Sequence, residues 1–184
     1  HGGNDILDNS KSTNFFSNTV GDAATANFGG TVYGGNDEID TSSNQDAKGA
    51  RASGDVGGLG EGTVIGGDDV MFAHGPAEMA GDVGALALSS TNRMAYIDGG
   101  NDQLTGSAFD DVLSGDVGQT WEFAAPLNTL IGGNDTVSGG AGNDLIYGEY
   151  VFNEFTIITG NAVTGGNDTL GGGDGDDRIF GQTG

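Results

Sequence analysis

The chain has 184 residues, 38 of them glycine, no cysteine and a net charge of −22. So acidic a balance excludes nucleic-acid binding, which needs clustered Lys and Arg against phosphate, and the lack of cysteine excludes disulfides and thiolate metal sites. Only 35% of the residues are hydrophobic and no apolar run approaches the ~18 residues of a membrane span, so the chain reads as disordered unless something neutralises the acids.

The glycines and acids are periodic. The tetrapeptide Gly-Gly-Asn-Asp, once Gly-Gly-Asp-Asp, begins at Gly2, Gly34, Gly66, Gly99, Gly132 and Gly165, at steps of 32, 32, 33, 33 and 33 residues. A fixed period of this size marks a repeat architecture.

In chain order, each unit opens on that tetrapeptide as a tight turn, because Gly and Asn accept positive φ at little cost. The first ladder of acids follows as Asp5, Asp37, Asp69, Asp102, Asp135 and Asp168. Two residues later stand Leu7, Ile39, Met71, Leu104, Val137 and Leu170, so each Asp-x-apolar piece predicts a very short strand with one side chain inward. Nine residues after each first Asp comes a second ladder of Asn14, Asp46, Glu78, Asp111, Asp144 and Asp177. A variable segment then holds most of the aromatic residues, thin at Gly54-Asp55-Val56 and bulky at Trp121-Glu122-Phe123 and Tyr150 to Ile158. It reads either as an extra wall of the coil or as an exposed apolar patch for a partner. Val32, Val64, Ile97, Leu130 and Val163 close the units, just ahead of the next Gly-Gly.

One 32–33-residue unit per coil predicts an all-β fold, a parallel β-roll or β-helix solenoid of nearly six coils. The six units, the last incomplete, form a single domain over residues 1–184. Stacked coils place equivalent residues ~4.8 Å apart, so an Asp lies over an Asp on each turn edge. Bare carboxylates at that spacing repel and resist ionisation. A hard divalent cation with oxygen ligands removes the conflict, and calcium suits such turns better than magnesium, which holds its waters. Side-chain-to-backbone hydrogen bonds in Gly-Asn-Asp turns could also cap the coils with no metal.

The nine-residue offset carries a resemblance. Gly139-Gly140-Ala141-Gly142-Asn143-Asp144-Leu145-Ile146-Tyr147 resembles the RTX, or haemolysin-type, calcium-binding nonapeptide Gly-Gly-x-Gly-x-Asp-x-apolar-x at every defined position. Gly172 to Phe180 is a second full match, and Gly133 to Val137 and Gly166 to Leu170 match its second half. Two nonapeptides are followed here by about fifteen other residues, unlike the continuous tandem arrays of that family, and the second motif decays toward the N-terminus.

The resemblance implies several calcium ions between adjacent coils. Their ligands would be Asp5, Asp37, Asp69, Asp102, Asp135 and Asp168 of the first motif and Asp111, Asp144 and Asp177 of the second. The turns of Gly133, Gly140, Gly142, Gly166, Gly173 and Gly175 would add carbonyls. It also implies an extracellular or cell-surface setting reached by type I secretion from a Gram-negative bacterium. Calcium is the expected partner, with end-to-end self-association or continuation of a longer array at the open ends. A filament, surface-layer or virion protein, or a calcium-binding appendage of a larger secreted enzyme or toxin, are the alternative roles.

Nothing in the sequence assembles a catalytic site: His-Glu-x-x-His, Gly-x-Ser-x-Gly and the phosphate-binding loop are all missing, so the chain reads as no enzyme. His74 reads as a degenerate turn residue, and Glu149 and Glu154 as solvated.

Overall fold

The computed structural model describes residues 1–8, 18–25, 30–41, 50–60, 62–86, 95–120, 127–151 and 163–182. Unit one supplies β1 (Ile6–Asp8), β2 (Asn18–Val20) and β3 (Thr31–Tyr33), and unit two β4 (Glu38–Asp40), β5 (Ala50–Ser53) and β6 (Gly62–Ile65). Unit three supplies β7 (Val70–Phe72), β8 (Ala77–Ala80), β9 (Val83–Leu86) and β10 (Ala95–Asp98). Unit four follows with β11 (Gln103–Thr105), β12 (Val112–Ser114), β13 (Val117–Thr120) and β14 (Leu127–Ile131). The last two units give β15 (Thr136–Ala141), β16 (Leu145–Tyr147), β17 (Val163–Thr164), β18 (Thr169–Asp174) and β19 (Arg178–Phe180).

Every pairing is parallel and joins a strand to its equivalent one unit on. The first wall runs β1-β4-β7-β11-β15-β18, the second β2-β5-β8-β12-β16-β19 and the third β3-β6-β10-β14-β17. A fourth, lighter wall consists of β9 paired with β13 and of bridges at Ala23–Val56, Val56–Val83 and Val117–Tyr150. This is the expected parallel β-solenoid. About four turns are stacked, fewer than the nearly six coils expected. The first two walls nevertheless hold a strand from each of the six units, and the third from five.

Two apolar cores run along the axis. The first-wall column Leu7, Ile39, Met71, Leu104, Val137 and Leu170 is in direct register, and it meets Ala52, Met79, Leu113 and Ile146 of the second wall. The third-wall column Val64, Ile97 and Leu130 packs instead on Val56, Val83 and Val117 of the fourth, with Val32, Tyr150 and Val163 against its edge. Each fully buried Ile, Leu, Val or Met contributes about 1.5–3 kcal/mol. The Gly-Gly-Asn-Asp turns, from the third wall into the first, face the turns from the second wall into the fourth. They meet in a polar waist between the two cores, where N–H groups of one set of turns bond to carboxylates of the other.

Among the described residues, the variable segment continues the coil as this fourth wall. The bulky stretches at Trp121 and from Phe152 onward, and Glu154, lie outside the described residues.

Candidate metal centre

The Gly-Gly-Asn-Asp turns stack because their second glycine has no side chain. A Cβ on Gly166 would strike the carbonyl of Gly133, as one on Gly133 would strike that of Gly100. The next residue forms an amide ladder on the outside, where Asn134 donates from Nδ2 to Oδ1 of Asn101 at 2.8 Å and Asn167 to Asn134 at 3.3 Å.

The first acidic ladder turns inward. The backbone N–H groups of Asp5, Asp37, Asp69, Asp102 and Asp135 each donate to Oδ1 of the Asp one coil on, at 2.6, 2.7, 2.8, 2.9 and 3.1 Å. One oxygen of each carboxylate is thereby used up. Oδ2 of Asp37, Asp69, Asp102 and Asp135 is buried with no hydrogen-bond partner among the described residues.

The second ladder is shorter. Ala77, Asp111 and Asp144 donate their N–H groups to Oδ1 of Asp111, Asp144 and Asp177 at 2.7, 2.9 and 2.9 Å. Asp111 also accepts from Ser107 N and Oγ, at 2.6 and 3.0 Å, whereas Oδ2 of Asp144 has no such partner. Gly140 and Gly142 sit at φ +104° and +127°, and Gly173 and Gly175 at +104° and +143°, a region L side chains avoid. Cβ atoms on Gly173 and Gly175 would meet the carbonyls of Gly140 and Gly142 one coil back.

Glu78 does not belong to this ladder. It pairs with Val112 and Arg51 on the outer face and forms an ion pair with Arg51 at 2.8 Å, while Ala77 holds the position below Asp111. Unit three is one residue shorter there. Asn14 and Asp46 lie outside the described residues. His74, partly exposed, bonds through Nε2 to Asp40 Oδ1 at 2.9 Å and has no part in the acidic ladders.

A third ladder, which the sequence reading missed, comes from the opposite turn: Asp22, Asp55, Asp82, Asp116 and Glu149, each preceded by glycine. They reach across the waist to the second glycine of the following unit. Gly35, Gly67, Gly133 and Gly166 donate N–H bonds to Asp22, Asp55, Asp116 and Glu149 at 2.6, 3.0, 3.2 and 2.9 Å. Asp82 accepts from Gly100 at 3.2 Å, and Gln182 takes the place of the acid in the last unit, bonding Tyr150 N at 2.9 Å. Glu149, read from sequence as solvated, is wholly buried. The spacings 33, 27, 34 and 33 hide this ladder, because the first two units carry longer segments between their first and second strands than unit three does.

First and third ladders converge in the waist. Ligand oxygens of Asp5, Asp22 and Asp37, of Asp37, Asp55 and Asp69, and of Asp82, Asp102 and Asp116 lie within 4.8 Å of one another in each group. Burial raises Asp55 and Asp135 to about 7, Asp69 to about 8 and Glu149 to about 7. Asp82, Asp102 and Asp116 are driven well above the usual carboxylate range, by burial first and by neighbouring carboxylates after it. Asp111, in the second ladder, is raised to about 6 by burial against the hydrogen bonds from Ser107 and Ala77.

Calcium fits this donor set. The ligands are hard oxygens, several are buried with an open lone pair, and calcium takes six to eight oxygens at about 2.3–2.6 Å. Bound there, it would supply positive charge where carboxylates are otherwise uncompensated.

The sequence profile of the RTX calcium-binding nonapeptide repeat matches residues 96–119, 131–149 and 163–184, in four copies. No curated protein matches the chain, and no solved structure does. The matched stretches hold β10 to β13, β15 and β16, and β17 to β19, together with the best-formed second-ladder turns. Residues 96–119, 131–149 and 163–184 are thus similar to the RTX calcium-binding nonapeptide repeat, and their described part lies in a parallel β-solenoid.

Proposed function

We propose that the chain is a non-catalytic, extracellular structural module that holds several calcium ions and folds on binding them. The observation that carries this reading is the set of buried carboxylates whose second oxygen has no hydrogen-bond partner among the described residues. Unpaired buried charge is costly, and a cation that binds only the folded coil turns binding free energy into folding free energy. Asp135, Asp168, Asp144 and Asp177 are the ligands best supported by the repeat match, with carbonyls of the Gly133, Gly140 and Gly142 turns beside them. Extracellular calcium, at about millimolar levels, suits modules of modest affinity. The role of the chain's own residues is to position oxygens, exclude water and stack the coils.

Ile179, exposed on β19 in register with the buried Ile146, favours a second reading alongside it, in which a further strand pairs there. Native mass spectrometry of the chain in calcium and in magnesium tests the first reading. Several retained calcium ions are expected, and a spectrum with no bound calcium contradicts it. Sedimentation in calcium tests the second, for which a strictly monomeric particle at all concentrations is the contrary result.

A further inference from the structure

The nonapeptide turns account for the second ladder but not for the acids that face the first ladder from across the waist. Asp55 and Asp116, like Asp37, Asp69 and Asp102, are no more than 2% exposed, and each keeps one carboxylate oxygen without a hydrogen-bond partner among the described residues. One carboxylate oxygen from each of Asp37, Asp55 and Asp69, and one from each of Asp82, Asp102 and Asp116, lie within 4.8 Å of one another in each group. That span matches two oxygens on opposite sides of one calcium ion at about 2.4 Å each.

The glycines beside the third ladder let the first-ladder carboxylates approach that turn closely. A Cβ on Gly54 would strike Oδ2 of Asp69, and one on Gly81 would strike Oδ2 of Asp102. Charge follows the same count. Each full coil brings one first-ladder and one third-ladder acid to the waist, Asp69 with Asp82 and Asp102 with Asp116, so one divalent cation per coil neutralises the column.

We propose that the waist is a separate, internal column of calcium sites, in which ions between the two cores are held by first-ladder and third-ladder carboxylates together. The groups Asp37, Asp55, Asp69 and Asp82, Asp102, Asp116 are its central sites. It rests on the calcium-binding reading and adds to it a function for the Gly-Asp turns. Ions in this column tie the Gly-Gly-Asn-Asp turn to the turn opposite, joining the two cores across each coil, whereas ions at the second ladder join coils only along one edge.

Anomalous scattering from crystals of the full chain grown with calcium tests this without altering the protein. Density inside the waist between Asp82, Asp102 and Asp116 is the expected result. Density confined to the outer turns of Asp111, Asp144 and Asp177 overturns the internal column and leaves the calcium-binding reading intact. Density at neither overturns both. The double variant Asp82→Asn, Asp116→Asn gives an independent count by native mass spectrometry. Asparagine still accepts from the glycine N–H groups, so the ion of that site, about one calcium per chain, should be lost, while Asp144→Asn should spare the waist ions. An unchanged ion count in the double variant overturns the column.

Discussion

The backbone N–H of Asp102 donates to Oδ1 of Asp135, one coil further along, at 2.9 Å, and Oδ2 of that same Asp135 is left buried with no partner among the described residues. One carboxylate thus has two tasks. Its first oxygen sets the register of the stack, and its second is available to a cation.

Replacing Asp135 separates those tasks. Asp135→Ala removes the acceptor for Asp102 N and the open oxygen together, leaving a buried N–H unpaired at a cost of about 1–3 kcal/mol. Asp135→Asn keeps an acceptor and loses the charge. Both should weaken calcium binding in titration calorimetry, and the alanine variant alone should also lower the calcium-loaded melting temperature strongly. Equal stability of the two variants with undiminished calcium affinity would show that the ladder is purely structural.

The acids predict an inverted pH dependence for the metal-free chain. Unfolded carboxyls titrate near 3.8, whereas burial holds Asp55 and Asp135 at about 7 and Asp69 at about 8. The folded state therefore binds more protons between these values, and stability falls as pH rises through that window. Below the unfolded value the penalty vanishes, because both states are then protonated. Calcium should reverse the trend, because its ligands are the ionised acids. Thermal melts of desalted protein at about pH 5 and about pH 8 check the sign; greater metal-free stability at the higher pH contradicts it.

Glycines differ sharply in what they permit. Gly142→Ala places a Cβ at φ +127° against the backbone of Phe109, and should destabilise the calcium-loaded fold by about 1–3 kcal/mol. Gly171→Ala meets nothing within 4 Å and should be neutral or stabilise by up to about 1 kcal/mol. Denaturant melts in calcium distinguish the two.

A similar contrast tests the second core. Ile97 is fully buried between Val64 and Leu130, while Ile131 is 36% exposed. Ile97→Ala should cost about 2–5 kcal/mol and Ile131→Ala about 0.5 kcal/mol or less. Comparable losses would mean that the third wall does not pack as described.

The parts of the fold legible in the sequence are those whose spacing never breaks. Leu7 to Leu170 and Val32 to Val163 keep steps of 32–33 residues, so their columns, the parallel stacking and the first acidic ladder follow directly. The third ladder was hidden because Asp55 and Asp82 are only 27 residues apart. The longer segments ahead of β2 and β5 shift its phase against the Gly-Gly-Asn-Asp count. Glu78 misled for the same reason on a smaller scale, since a one-residue shortening puts Ala77 under Asp111. Glu149 followed no motif, and its burial arises only when the opposite turn brings Gly166 within hydrogen-bonding distance.

Calcium-driven folding is tested most directly by far-ultraviolet circular dichroism of the metal-free full chain titrated with calcium at neutral pH. With eight buried carboxylate oxygens lacking a partner among the described residues, the expected result is a weakly structured chain that gains its β spectrum cooperatively as calcium is added. A chelated chain that already shows the full β spectrum, with a melting temperature that calcium does not raise, would contradict it.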